Sequence, residues 1–319
     1  MADSTNGWKF ERGLKPDFMR QLEALAKESG WFADVLADED LILGIRNNYL
    51  NVYWHGQSLF KIERAGKTGA SKVSTHPKYL LDPCLSKPVQ LEETGFMVEP
   101  VKALIREYKR KETLALMKRA AKIYAGEEKD GVHVIGRKHR NVIDTEVAFY
   151  CERDGDEQGR YAPRIDLACF EDVDNSIRLR FWEAKLYSND EIRAKGNTEA
   201  PVVRQVREYR ELLEKHRGEV AKSYLEVAQN LVEIAGWISP RREVGELVRQ
   251  VAGGKPFQID SPPVVGLTIY GFDNDQKRGQ GWETHIGKLN AESLMPLRCA
   301  GDPKNIRLCA GDMRDIVSA

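Results

Sequence analysis

Apolar and polar positions repeat along this chain with two periods, and the switches between them mark its elements. Residues 16–29 carry Phe18, Leu22 and Leu25 at helical spacing behind Pro16, which suits a first helical turn, and Gly30 closes the pattern. Trp31, Phe32, Val35 and Leu36 predict a short second helix. The period then falls to that of strands over residues 41–45, 49–54 and 58–62. Asn47-Asn48 and His55-Gly56-Gln57 supply turn chemistry between them, so an antiparallel three-stranded meander is expected. The longest helical pattern covers residues 98–125. Val101, Leu104, Ile105, Tyr108, Met117, Ala121 and Tyr124 mark its inner face, and Gly126 ends it. Its outer face carries Lys109, Arg110, Lys111, Lys118, Arg119 and Lys122, a solvated face that could also track a phosphate backbone.

Two runs in the second half have the strongest strand character. Residues 163–171 and 177–187 are rich in apolar, β-branched and aromatic residues, with Asp172, Asp174, Asn175 and Ser176 between them. They predict a β-hairpin. Strand side chains alternate between faces. Asp166 therefore shares a face with Ala168 and Phe170, and Glu183 and Lys185 share one with Leu179 and Phe181. Pairing the strands sets Asp166, Glu183 and Lys185 side by side. Two neighbouring carboxylates repel unless a cation lies between them, and carboxylate oxygens suit hard Mg²⁺. A lysine two residues from a metal ligand can offset charge that develops on a phosphate.

These residues resemble a known family. Arg164-Ile-Asp166 followed by Glu183-Ala-Lys185 is similar to the catalytic hairpin of the PD-(D/E)XK nuclease superfamily. Next comes a helix that begins near Pro201, with Val202, Val206, Tyr209 and Leu213 on its apolar face and Gly218 as its stop. Gln205-Val-Arg-Glu-Tyr209 within it is similar to the Gln-x-x-x-Tyr motif of the RecB-like branch, and this spacing places Gln205 and Tyr209 on one helix face. Residues 264–270 then read as a buried strand. The resemblance covers about residues 140–271. It implies an α/β (α+β) fold class, a restriction-endonuclease-like αβββαβ core over residues 96–319, and an N-terminal α+β accessory region over residues 1–95.

The resemblance also implies roles. Asp166 and Glu183 would bind Mg²⁺ (or Mn²⁺), helped by the backbone carbonyl of Ala184, and Lys185 would orient the attacking water. An acid on the family's first core helix often joins the site, and Glu146 is the best positional match, with Asp144 and Glu152 as rivals. Gln205, Tyr209, Arg204 and Arg207 would border DNA. The family's literal Pro-Asp pair is absent, because Arg164 and Ile165 intervene between Pro163 and Asp166.

Composition limits this picture. Lys+Arg and Asp+Glu both number 49, so the net charge is zero and DNA binding must rest on local basic patches such as Arg137-Lys-His-Arg140. The five cysteines lack a Cys-x-x-Cys pair, which favours reduced thiols and gives no support for an iron–sulfur cluster. The histidines are scattered, and His55 and His76 read as turn or loop residues. No apolar run reaches membrane-spanning length and no segment resembles a signal peptide, so a cytoplasmic protein is expected. The expected activity is metal-dependent phosphodiester hydrolysis of DNA. The alternative is a nuclease-like module without activity that binds DNA or other protein subunits.

Overall fold

A computed structural model describes residues 8–28, 30–64, 71–81, 89–92, 95–96, 105, 107–151, 164–194, 196, 198–290 and 295–308. The fold is α+β. The chain forms two compact units. One comprises residues 1–11, 134–225 and 245–319, and the other residues 12–133 and 226–244. The division therefore does not follow a single cut after residue 95. The helix Arg110–Lys122 packs against Trp31–Ala37 and the turn Pro77–Leu80, and so belongs with the N-terminal sheet.

That second unit is built on an antiparallel sheet in sequence order: Ile42–Ile45, Tyr49–Trp54, Gln57–Arg64, Ser71–Thr75, Val89–Glu92 and Gly95–Phe96. The expected meander forms its first three strands. His55 and Gly56 both take positive φ, 46° and 72°, in the two-residue turn between the second and third strands. The helices Pro16–Lys27 and Trp31–Ala37 form as expected, and Phe18, Met19, Leu22, Phe32, Val35 and Leu36 are buried. The long helix expected over 98–125 is shorter. Ile105 and Tyr108 precede the helix Arg110–Lys122, and residues 98–104 fall outside the described residues. After Gly126 the separate helix Glu127–Lys138 begins.

The first unit holds a mixed sheet in the order Leu297–Cys299, Val265–Tyr270, Ser176–Leu186, Ile165–Val173, Val142–Val147. Asp174 and Asn175, with φ of 51° and 61°, make a tight two-residue turn in the central hairpin. Asn and Asp tolerate this region best among non-glycine residues. The hairpin pairs Leu167 with Trp182 and Val173 with Ser176. On its other edge Ser176–Leu186 runs parallel to Val265–Tyr270, which is buried along its whole length. Such burial explains the continuous apolar run of that strand. Along the chain, helix Glu127–Lys138 precedes the sheet strands Val142–Val147, Ile165–Val173 and Ser176–Leu186, with the short strand Tyr150–Cys151 of another sheet among them, and helices Pro201–Lys215, Arg217–Ala235 and Glu246–Ala252 precede Val265–Tyr270. The helix Pro201–Lys215 ends at His216, and Gly218 lies in the first turn of the next helix, Arg217–Ala235. Residues 240–245 are not helical; a helix resumes at Glu246–Ala252.

Gly266 is a close-packed point of the mixed sheet. A Cβ there would lie 2.4 Å from Cζ3 and 2.5 Å from Cε3 of the buried Trp182. The indole is anchored, because its Nε1–H donates to buried Glu171 at 3.0 Å. Gly266→Ala should therefore destabilise the protein by about 1–3 kcal/mol, as overpacking does. Denaturant unfolding measures it; an unchanged midpoint would show that the ring yields freely.

Candidate active site

The hairpin register delivers the expected constellation. Asp166 (5% exposed), Glu183 (2%) and Lys185 (6%) are all buried, on the paired strands Ile165–Val173 and Ser176–Leu186. The backbone N–H of Ala184 donates to Asp166 Oδ2 at 2.9 Å, which ties the first carboxylate to the residue between Glu183 and Lys185. Lys185 Nζ lies 2.9 Å from Glu183 Oε1 and 2.6 Å from Glu191 Oε2. The lysine is thus neutralised from two sides, as a buried cation must be. Thr268 Oγ1, on the parallel strand, donates to the Glu183 carbonyl at 3.3 Å.

The helix Pro201–Lys215 closes the site from the next element. Pro201 starts it, and Val202, Val206, Tyr209 and Leu213 are buried. Gln205 Nε2 donates to the Tyr209 hydroxyl at 2.7 Å, and that hydroxyl donates to the Arg164 carbonyl at 2.6 Å, two residues before Asp166. The motif pair therefore reaches the hairpin through one hydrogen-bonded chain. Burial pushes the Tyr209 phenol upward, and the neighbouring Glu183 and Asp166 carboxylates push it further. The hydroxyl accordingly keeps its proton and serves as a donor.

Other expectations fare differently. Glu146 sits on the strand Val142–Val147, not on a helix, and takes a positive φ of 54°. The strand pairs Val147 with Ile165 and Thr145 with Leu167, so Glu146 enters the sheet beside the Asp166 strand as an irregular strand residue. Its Oε2 lies 3.4 Å from the Arg164 guanidinium. Asp144, the rival acid, accepts from the Tyr224 hydroxyl at 3.2 Å and from the Thr145 N–H at 2.8 Å. Glu152 and Pro163 lie outside the described residues. Arg204 and Arg207 are exposed, and Arg207 forms a two-pronged pair with Glu199 at 2.7 and 3.2 Å.

Glu191 was not foreseen as a site residue. It lies on the short turn Asp190–Ile192, where the Asn189 side chain accepts from its N–H at 2.9 Å. Arg193 fastens the same turn to the carbonyls of Asn189 and Tyr187, at 2.6 and 2.7 Å. The signal available in the sequence was an Asn-Asp-Glu turn directly after the hairpin, with nothing to aim it at Lys185 in particular.

The donor set fits a hard divalent ion. Two buried carboxylates on adjacent strands present oxygen, and Mg²⁺ is commonly held by one or two carboxylates with waters and substrate phosphate completing its shell. No helix among the described residues is long and apolar enough to cross a membrane. No family model, curated protein or solved structure matches the chain.

The hydrogen-bonded chain through Tyr209 gives a direct expectation. Tyr209→Phe removes the donor to the Arg164 carbonyl and the acceptor for Gln205. It should cost about 1–3 kcal/mol, the usual penalty for a buried partner left unpaired. A thermal or urea unfolding curve measures it; wild-type stability would show that the chain is incidental.

Proposed function

We propose that the chain is a Mg²⁺- or Mn²⁺-dependent nuclease that hydrolyses phosphodiester bonds in DNA. The observation that carries this reading is the convergence of Asp166, Glu183 and Lys185, all buried, on a hairpin followed by the Gln205–Tyr209 helix and a parallel core strand. The strand and helix order supports the resemblance to the PD-(D/E)XK nucleases, and the chemistry of the site supports it independently.

In this reading Asp166 and Glu183 hold the ion. When bound, the ion supplies Lewis-acid polarisation of the phosphate and a more acidic water. Lys185, in contact with two carboxylates, would place its ammonium where charge develops on the phosphate. The Ala184 N–H fixes the rotation of the Asp166 carboxylate. Tyr209 and Gln205 hold the strand entry at Arg164, so the hairpin keeps its register at the point of reaction.

Purified protein should degrade DNA with Mg²⁺ and stop when EDTA is added. Asp166→Asn and Lys185→Ala should each lower the rate about 10²-fold or more, the usual cost of removing a group that stabilises the transition state. Wild-type cleavage rates in both variants, with folding checked by circular dichroism, would overturn the assignment.

DNA contacts in this reading involve Arg204 and Arg207. Phosphate contacts are insensitive to sequence and weaken with salt. The double change Arg204→Ala and Arg207→Ala should weaken DNA binding equally across sequences and flatten its dependence on salt concentration. Identical binding by wild type and variant across a salt series would remove these two residues from the DNA path.

A further inference from the structure

Among the described residues one set of three ligand-type side chains converges. One ligand atom each from Asp40, His55 and His133 lies within 4.8 Å of the other two. Asp40 precedes the strand Ile42–Ile45, His55 opens the turn before Gln57–Arg64, and His133 is buried on the helix Glu127–Lys138. All three belong to the second unit. We propose that they form a binding site for one borderline divalent transition-metal ion, of the Zn²⁺ class.

The contacts around the three residues prepare them for this role. Asp40 Oδ2 accepts from Trp54 Nε1–H at 2.6 Å and lies 2.9 Å from Lys118 Nζ, while Oδ1 lies 3.3 Å from His133 Nε2. One carboxylate oxygen is thus braced by the protein and the other is turned toward the imidazoles. His55 Nδ1 lies 2.6 Å from Asp130 Oδ1, so Nδ1–H donates to the carboxylate and Nε2 is the nitrogen with a lone pair for an ion. A carboxylate behind a histidine is the usual partner of a metal-bound imidazole.

The two imidazoles lie 4.1 Å apart with 26° between their planes. Imidazole with a single carboxylate suits Zn²⁺ and its neighbours better than Mg²⁺, and three protein ligands leave a position for water. The ion pairs around the three residues join Asp38 and Asp40 to Lys118, and Asp130 to Lys122.

Binding has a structural cost that can be observed. Before His133 Nε2 can hold the ion, its ring proton, which faces Asp40 Oδ1, must move to Nδ1. That nitrogen now accepts from the His55 backbone N–H at 3.2 Å, so this contact opens as the stacked rings part.

Full-length protein, stripped with EDTA and desalted, should bind one equivalent of Co²⁺ with visible d–d absorption of a four- or five-coordinate site, and Zn²⁺ should bleach it. The backbone amide resonance of His55 should shift on binding. His55→Asn suits the left-handed turn but lacks the ligand, and should abolish the band; His133→Gln should do the same. Asp130→Asn should weaken binding by about 10–100-fold, the usual cost of losing the group behind a ligand. Asp166→Asn should leave the band unchanged, which separates this site from the proposed nuclease centre. Absence of a Zn²⁺-sensitive band in wild type, or an unchanged band in folded His55→Asn, would overturn the proposal.

Discussion

The register of one hairpin governs the candidate active site. Leu167 faces Trp182 and Phe170 faces Leu179 across Ile165–Val173 and Ser176–Leu186, and this pairing brings Asp166 level with Glu183 and Ala184. Side chains alternate with a period of two, so a slip of one residue would turn Asp166 and its neighbours to the opposite face. Several features pin the register at once. Asp174-Asn175 sets the turn, Trp182 is locked between Glu171 and Gly266, and Ser176–Leu186 is held along its second edge by the parallel strand Val265–Tyr270.

Burying two carboxylates and a lysine costs free energy that packing alone does not return. The structure meets the cost with partners. Lys185 bridges Glu183 and Glu191, Asp166 accepts from the Ala184 N–H, and the Tyr209 hydroxyl, kept protonated by burial and by the carboxylates beside it, ties the helix Pro201–Lys215 to the carbonyl of Arg164. Removing one member of a buried ion pair usually costs about 3–5 kcal/mol, because the other charge is left uncompensated. The proposed nuclease reading rests on this arrangement: fixed oxygens that would hold a hard cation and an ammonium beside them.

The parts of this site that depend on local pattern were legible in the sequence. The hairpin, its turn, the helix behind Pro201 with Gln205 and Tyr209, and the buried strand at residues 265–270 all follow from periodicity over a few residues. Features set by distant contacts were not. Glu146 lies in a strand with positive φ, a conformation that no local pattern announces for glutamate. Glu191 depends on the exact turn made by Asn189 and Arg193. Asp40, His55 and His133 come from three separate elements, so the histidines show no metal-binding spacing although the fold unites them. The helical pattern over residues 98–125 outruns the helix because its apolar positions continue through Ile105 and Tyr108, where the chain is not helical.

The account turns on whether the Asp166–Glu183 pair holds a hard cation. Calorimetric titration of Mn²⁺ into full-length wild type and into Glu183→Gln tests this directly, since the change removes one charge and keeps the shape of the side chain. The account predicts that wild type binds one more equivalent of Mn²⁺ than the variant, while Zn²⁺ binding elsewhere is the same in both. Identical Mn²⁺ isotherms for the two folded proteins would contradict it.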